Sequence, residues 1–186
     1  MHNIPMSRIS AELLVGLLVL FLGSSAAAQP TEPRLIEAVK AGDVAAVRAL
    51  LDDGTDVQAA EPDGMTALHW AAHHDHEAIA SLLLEAGGHV STTTRYGLVP
   101  LSLAATNSSP RMLRVLLDAG ADPNHTTGEG ETPLMTVARV GVVDAIDVLI
   151  EYGANVNAIE EWRGQTALMW AASQGNAGAV SVLLQA

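Results

Sequence analysis

Four histidines form the part of the sequence best suited to chemistry. His69, His73, His74 and His76 lie within eight residues, in a stretch that ends at Glu77. His69 and His73 are four residues apart and would share one face of a helix, where two imidazoles can bind zinc once a third ligand converges on them. A metal-binding protein that uses the segment from His69 to Glu77 is therefore one functional alternative, with His69 and His73 as its candidate ligands.

The remainder of the sequence has no arrangement typical of catalysis. It contains no glycine-rich phosphate loop with its lysine, no G-x-S-x-G motif and no cysteine. These absences exclude a Cys nucleophile, a disulfide framework and a Cys-ligated metal. The carboxylates are dispersed along the chain, a pattern more typical of solubility than of acid–base chemistry. We therefore expect a protein that is not an enzyme, with no cofactor and no dedicated metal site.

Two series of glycines recur along the chain with a common period. One series is spaced 33, 33 and 34 residues apart, and the other is spaced 33 residues apart throughout. The first series comprises Gly64, Gly97, Gly130 and Gly164, and the second comprises Gly54, Gly87, Gly120 and Gly153. Two interleaved series with one period indicate an array of structural repeats.

Three segments between these glycines share a motif. They are residues 66–72 (TALHWAA), 132–138 (TPLMTVA) and 166–172 (TALMWAA). The motif resembles the ankyrin-repeat signature T-P-L-H-x-A-A, and the resemblance extends over about residues 34–186. It implies an all-α repeat solenoid, a stack of helix-turn-helix units connected by β-hairpin-like loops.

The residues of the motif suit a short capped helix followed by a second helix. A threonine at the head can cap the first helix, and Pro133 fits its first turn, where the missing N–H needs no partner. Leu68 shares a helix face with Ala71 and Ala72, and alanines allow neighbouring helices to approach closely. A glycine such as Gly87 can end the second helix in the left-handed conformation. One unit cannot bury its apolar face alone, so stacking must stabilise the array.

We divide the repetitive part of the chain into five units. Units 1 to 5 are residues 34–62, 63–95, 96–128, 129–161 and 162–186. Unit 1 is degenerate, as a terminal cap would be. Unit 3 is divergent, because Val99 replaces the head threonine and Pro110 lies near the position of a glycine-centred turn. We expect its first helix to be less well capped and the segment around Pro110 to be irregular. Unit 5 is truncated, which favours a fragment of a longer array over an outer helix that frays at its end. An array attached to a missing C-terminal catalytic domain is a further alternative.

The first 28 residues have the three-part pattern of a secretory signal peptide. Arg8 precedes an apolar run from Leu13 to Gly23, and Ala26 and Ala28 form an A-x-A cleavage site. The run is shorter than the roughly 20 residues that span a bilayer. We therefore predict cleavage after Ala28 and export, to a periplasm or as a secreted protein, with no stable membrane span afterwards; an uncleaved anchor is the alternative. Residues 29–33 are predicted to be an extended leader.

The charge of the chain limits the class of its partner. The formal net charge is −12 and the sequence pI is near 4.8. Nucleic acids are bound mainly by Lys and Arg that neutralise phosphates, so we expect no nucleic-acid partner. The resemblance implies a protein partner instead, and the acidic surface favours one with basic or polar contacts. The predicted function is an exported protein–protein interaction module that acts as an adaptor, an inhibitor or a protective partner.

The resemblance also implies where a partner would bind, because ankyrin arrays usually bind through loop tips and the solvent side of the inner helices. All three tryptophans fall on this surface, and Trp and Tyr are enriched in binding hot spots. Trp70 and Trp170 occupy one repeat position, so packing is their alternative role. Tyr96 and Trp162, on turn tips, are better candidates for contact. The predicted surface comprises Asp63, Met65, Trp70, His74, Tyr96, Leu98, Leu103, Asn107, Glu129, Glu131, Thr136, Arg139, Trp162, Arg163, Gln165, Trp170 and Gln174.

Overall fold

The computed structural model describes residues 31–186, which fold into ten α-helices arranged as five consecutive pairs. We call the first helix of each pair inner and the second outer. The inner helices are α1 (Thr31–Lys40), α3 (Ala67–His73), α5 (Pro100–Asn107), α7 (Pro133–Val140) and α9 (Ala167–Ser173). The outer helices are α2 (Val44–Asp52), α4 (Glu77–Glu85), α6 (Pro110–Asp118), α8 (Val143–Glu151) and α10 (Ala177–Leu183).

The ten helices form two layers. Each inner helix packs on the next inner helix along the chain, each outer helix packs on the next outer helix, and the two helices of a pair also contact each other. The β-structure in residues 31–186 is limited to one isolated antiparallel bridge, between Ala60 and Thr66. The expected all-α repeat stack is therefore confirmed for this part of the chain.

The first helix begins earlier than the sequence predicts. The extended leader predicted for residues 29–33 is wrong from Thr31 onward, because α1 begins there. Pro33 is the third residue of α1, and a helix tolerates proline in its first turn because the N–H groups of that turn have no intrahelical acceptor. The signal peptide predicted for residues 1–28 and the first two leader residues lie outside the described residues. None of the helices in residues 31–186 is long and apolar enough to cross a membrane.

Threonine hydroxyls cap the inner helices α7 and α9, and α5 lacks such a cap. The hydroxyl of Thr132 accepts from the N–H of Met135 at 3.3 Å, and Thr166 makes the equivalent contact at the start of α9, at 3.4 Å. Val99 has no oxygen to accept such a bond. The only side-chain contact with its backbone N–H in the described residues is a long one, 3.5 Å, from the hydroxyl of Ser102. The start of α5 is thus less well capped, as the sequence predicts.

The expected irregularity around Pro110 is wrong. Pro110 is the first residue of α6, and Ser109 caps this helix by accepting from the N–H of Met112 at 3.4 Å. Ser108 takes the left-handed conformation, with φ of 51°, that glycine supplies in units 1, 4 and 5. Its buried hydroxyl donates to the carbonyl of Ala105 at 3.1 Å. A local hydrogen bond therefore offsets the strain of a non-glycine residue at this turn.

The core is a ladder of equivalent apolar positions. Leu68, Leu101 and Leu134 occupy the same repeat position and are fully buried. The position that follows each leucine shows how far burial depends on stacking. Met135 in unit 4 is 0% exposed, whereas Met169 in unit 5 is 52% exposed. Helices packed on both sides bury this position in unit 4, and the described residues pack against only one side of unit 5.

Replacing Val99 with threonine should stabilise the array. Valine and threonine have nearly the same shape, and the new hydroxyl would accept from the N–H of Ser102. We expect the free energy of unfolding to rise by roughly 0.5–1 kcal/mol, the value of a modest N-cap, and Thr132→Val to lower it by a similar amount. Urea unfolding followed by circular dichroism measures both. A loss of stability in Val99→Thr would show instead that burying the hydroxyl at this position costs more than the cap contributes.

Candidate functional site

A cleft of about 460 Å³ opens between units 4 and 5. Most of the surface residues predicted for these two units line it. The lining residues are Glu129, Glu131, Arg139, Glu160, Trp162, Arg163, Gln165, Trp170, Ser173 and Gln174. The cleft thus brings together two indole rings, two guanidinium groups and three carboxylates, a set suited to recognition rather than to covalent chemistry.

Trp162 is the most exposed aromatic side chain in the described residues. It is 77% exposed, and it lines both the main cleft and a neighbouring one formed with Gly128, Glu129 and Glu161. The guanidinium of Arg163 lies 4.4 Å from the centroid of its ring. This distance is typical of a cation–π contact, which orients the indole without covering it fully.

Tyr96 is the second exposed aromatic tip, in unit 3. It is 66% exposed, and Arg95 lies 5.7 Å from the centre of its ring. The backbone N–H of Arg95 donates to the carbonyl of Asp63 in the preceding tip at 2.8 Å. Backbone bonds between tips thus hold Tyr96 on the surface, at a distance along the stack from the lining residues of the cleft.

Trp70 and Trp170 are partly buried and pack on the core, in agreement with the packing role weighed for them. The N–H of the Trp70 ring donates to Glu61 at 2.7 Å, and the ammonium of Lys40 lies 4.3 Å from the ring centroid. Arg139 lies 5.6 Å from the Trp170 ring. The Nε1 atom of Trp170 is buried and has no hydrogen-bond partner within residues 31–186.

Glu160 organises the tip of unit 5, and the sequence analysis missed it. The side chain is only 4% exposed. Its carboxylate accepts from the backbone N–H groups of Trp162 at 2.6 Å, Arg163 at 2.8 and 3.0 Å, and Gln165 at 3.0 Å. These hydrogen bonds, that of Arg163 foremost, lower the pKa of Glu160. The sequence signal that could have identified it is the 34-residue spacing between Gly130 and Gly164, one residue longer than the others. The extra residue enlarges the tip enough to enclose a carboxylate.

The carboxyl group of Glu131 is perturbed in the opposite direction. Burial in the cleft, and then the negative charge of Glu129, raise its pKa, while Arg139 acts against this shift. Glu131 therefore takes up a proton more readily than an ordinary glutamate.

Most of the predicted residues in units 2 and 3 are half-buried, as Asp63, Met65, Leu98 and Leu103 are. Asn107 has a structural role that the prediction of a contact surface did not include. Its amide donates to two carbonyls at the end of α3, those of Ala72 at 3.1 Å and His73 at 2.6 Å. These two hydrogen bonds connect units 2 and 3, and they occupy the amide group that could otherwise donate to a partner.

The other predicted residues of these units and of unit 4 do not enter the cleft. The ring of His74 is stacked on that of Trp70, with centroids 5.6 Å apart. The hydroxyl of Thr136 donates to the carbonyl of Thr132, the residue that caps its own helix, at 3.5 Å. The structure therefore divides the predicted surface into the cleft, the Tyr96 tip and a set of residues engaged in local contacts.

The histidine pair considered as metal ligands does not converge. His69 is 0% exposed, and its Nδ1 lies 3.2 Å from the N–H and 2.8 Å from the hydroxyl of Thr66. Its Nε2 lies 3.2 Å from the carbonyl oxygen of Leu98 in the next unit. Burial lowers the pKa of His69, and both ring nitrogens are engaged, while His73 is exposed. Residues 31–186 contain no group of three or more His, Asp and Glu side chains placed to hold a metal ion.

Replacing Glu160 with glutamine should destabilise the protein in a pH-dependent way. Because the pKa of Glu160 is lowered on folding, its stabilisation is complete above the ordinary pKa of glutamate and is lost as the pH falls through the lowered value. We expect Glu160→Gln to melt below the wild type at neutral pH, and the difference to vanish in strong acid.

Thermal melts from neutral to acid pH test this, with the exposed Glu85→Gln as the matched control. A difference between wild type and Glu160→Gln that stays constant with pH would contradict a role for the ionised carboxylate.

Comparison with known families agrees with the architecture. The family model for ankyrin repeats (three copies) matches residues 35–127 and residues 101–186. Comparison with curated proteins gives no match. Ankyrin repeats are protein–protein interaction modules and are generally not catalytic. Because the two matched segments together span residues 35–186, the chain belongs to the ankyrin-repeat family.

Proposed function

We propose that this ankyrin stack is an exported module that binds another protein, as its adaptor, inhibitor or protective partner, through the cleft between units 4 and 5 and the Tyr96 tip. The single observation that carries the proposal is Trp162, a large apolar ring left 77% exposed at the mouth of a cleft. Aromatic side chains make up only 3% of the chain. A tryptophan in this position is typical of a binding hot spot.

The cleft has the anatomy of an interface centre. Trp162 and Trp170 supply apolar area, and Arg139, Gln165 and Gln174 supply hydrogen-bond donors around it. A typical interface buries about 800 Å² on each partner, more than one cleft offers. Contact with the tips of neighbouring units, including Tyr96, would provide the remaining area.

The charge of the chain favours a partner whose surface is mainly basic or polar. The net charge is −12, and carboxylates of Glu129 and Glu161 flank Trp162. Complementary charge accelerates association more than it tightens the final complex. The association rate should therefore fall as the salt concentration rises.

Export is proposed from the sequence of residues 1–28, which lie outside the described residues. Arg8, the apolar run that follows it and the small residues Ala26 and Ala28 support a cleavable signal. The stack contains no cysteine, so its stability does not depend on the redox state of the compartment.

Removing the exposed aromatic rings should abolish partner capture without unfolding the stack. A double variant, Tyr96→Ala with Trp162→Ala, should bind at least about 30-fold more weakly than wild type, because a hot-spot residue contributes 2 kcal/mol or more. Protein from Gln29 onward serves as bait for the exported fraction of the source cells, and the captured partner is titrated in purified form.

The matched control replaces two exposed apolar residues of the outer layer, Val44→Ala with Leu184→Ala. Equal binding by wild type and the Tyr96/Trp162 variant would contradict the proposed surface. Failure of the wild type to bind any exported protein would contradict the module itself.

Export and cleavage predict a defined mature form. Expression of the full chain should yield an exported product that begins at Gln29, and Ala28→Leu should accumulate uncleaved precursor because the cleavage site requires a small residue. Intact mass measured on fractionated cells checks both outcomes. Recovery of the full-length chain in the cytosolic fraction alone would contradict this part of the proposal.

A further inference from the structure

The same three-residue arrangement occurs twice in the stack. In units 1 and 2 it consists of Lys40, Glu61 and Trp70. Three periods further along, Arg139 and Glu160 occupy the positions of Lys40 and Glu61, and Trp170 occupies that of Trp70 after the extra residue in unit 5. The two copies can therefore be compared position by position.

In the first copy the three side chains satisfy one another. The carboxylate of Glu61 accepts from the ammonium of Lys40 at 2.8 Å and from the ring N–H of Trp70 at 2.7 Å. The ammonium also lies 4.3 Å from the centroid of the indole ring. The carboxylate is thus the acceptor that pairs both the cation and the indole donor.

In the second copy the carboxylate is turned away. The N–H of Glu61 donates to the carbonyl of Met65 across its tip, whereas the N–H of Glu160 donates to that of Gln165 across a tip one residue longer. The wider tip presents its backbone N–H groups inward, and the carboxylate of Glu160 accepts from them instead of from the indole of Trp170.

The result is a set of donors without acceptors. The Nε1 of Trp170 is buried and has no hydrogen-bond partner in the described residues. Arg139, whose guanidinium lies 5.6 Å from the Trp170 ring, and Arg163 form no ion pair within residues 31–186. A buried donor without a partner costs free energy that a bound acceptor would recover. All three groups belong to residues that line the cleft.

We propose that the cleft between units 4 and 5 binds a carboxylate side chain, aspartate or glutamate, presented by a protein partner. The ligand carboxylate takes the place that Glu61 occupies in the first copy, accepting from the indole N–H of Trp170 and from Arg139. This inference rests on the proposed function as a protein-binding module, and it names the chemical group that the cleft recognises.

The donors around the Trp170 indole disfavour the opposite assignment, a cationic side chain of the partner. An indole N–H and a guanidinium can only donate hydrogen bonds, so a lysine or arginine of the partner could satisfy neither and would face two like charges. The carboxylates of Glu129 and Glu131 oppose an incoming anion. The nearby positive charge of Arg139 offsets part of the charge of Glu131. Arg139 and Gln174 are exposed and can change rotamer to admit the ligand.

Acetate at neutral pH is the probe, and the indole N–H resonances of the protein are the readout. The three tryptophans give three such signals, which single Trp→Phe variants assign. We expect the Trp170 signal to move in a saturable way as acetate replaces chloride at constant ionic strength. The Trp70 signal should stay in place, because its N–H already donates to Glu61.

Two substitutions sharpen the test. Arg139→Gln should weaken acetate binding roughly tenfold, the loss expected for one charge-assisted hydrogen bond, whereas Arg111→Gln, an exposed arginine at the start of α6, should leave it unchanged. Glu61→Ala removes the internal carboxylate of the first copy and should make the Trp70 signal respond to acetate as well.

The outcomes separate this inference from the proposed function. No saturable acetate response at Trp170, or a response to methylguanidinium in its place, overturns carboxylate recognition even if a partner is captured. Equal, non-saturating shifts of all three indoles indicate a solvent effect and also overturn it. Capture of a partner that depends on Trp162 supports the proposed function as a binding module, and the acetate titration alone decides carboxylate recognition.

Discussion

Burial of each helix pair by its neighbours is the constraint on which the rest of the structure depends. A pair of short helices has too little apolar area to fold alone, so it is stabilised by stacking on its neighbours. Hydrogen bonds across the unit boundaries add to this stacking. The ring of buried His69 reaches the carbonyl of Leu98 in the next unit at 3.2 Å. The amide of Asn124 donates to the carbonyl of Gly153 at 3.0 Å and accepts from the N–H of Asn155 at 2.7 Å. Stacking therefore fixes the tips as well as the core, and the fixed tips place Trp162 on the lining of the same cleft as Trp170.

The periodic part of the fold could be predicted from the sequence, because each period repeats the same local physics. Cap threonines and apolar positions at a 33-residue spacing specify an inner helix, an outer helix and a stacking face without knowledge of long-range contacts. The errors occurred where a residue departs from the period. Pro33 and Pro110 suggested breaks, and both lie in the first turn of a helix, where proline is tolerated. Ser108, two residues before Pro110, takes the left-handed turn conformation, and its own hydroxyl stabilises it.

The candidate site was less predictable, because it depends on where one side chain points. The surface assignment identified Trp162, Trp170 and Arg139, whose positions follow from the repeat. It did not identify Glu160, since nothing in its residue type distinguishes it from Glu61 three periods earlier. The difference arises from the extra residue after it. A tip one residue longer turns three backbone N–H groups toward the carboxylate, and these outcompete one indole donor.

Long-range and short-range electrostatics act differently at this surface. The net charge of −12 attracts basic partners, but at physiological salt such attraction decays over about 8 Å. Within the cleft, contacts are decided by the groups that touch the ligand, and there Arg139 and the Trp170 indole offer donors without acceptors. A partner whose surface is basic overall and presents one carboxylate at its centre satisfies both requirements. In such a complex, the charge around the interface would set the association rate. The single buried carboxylate contact would set the position in which the partner docks.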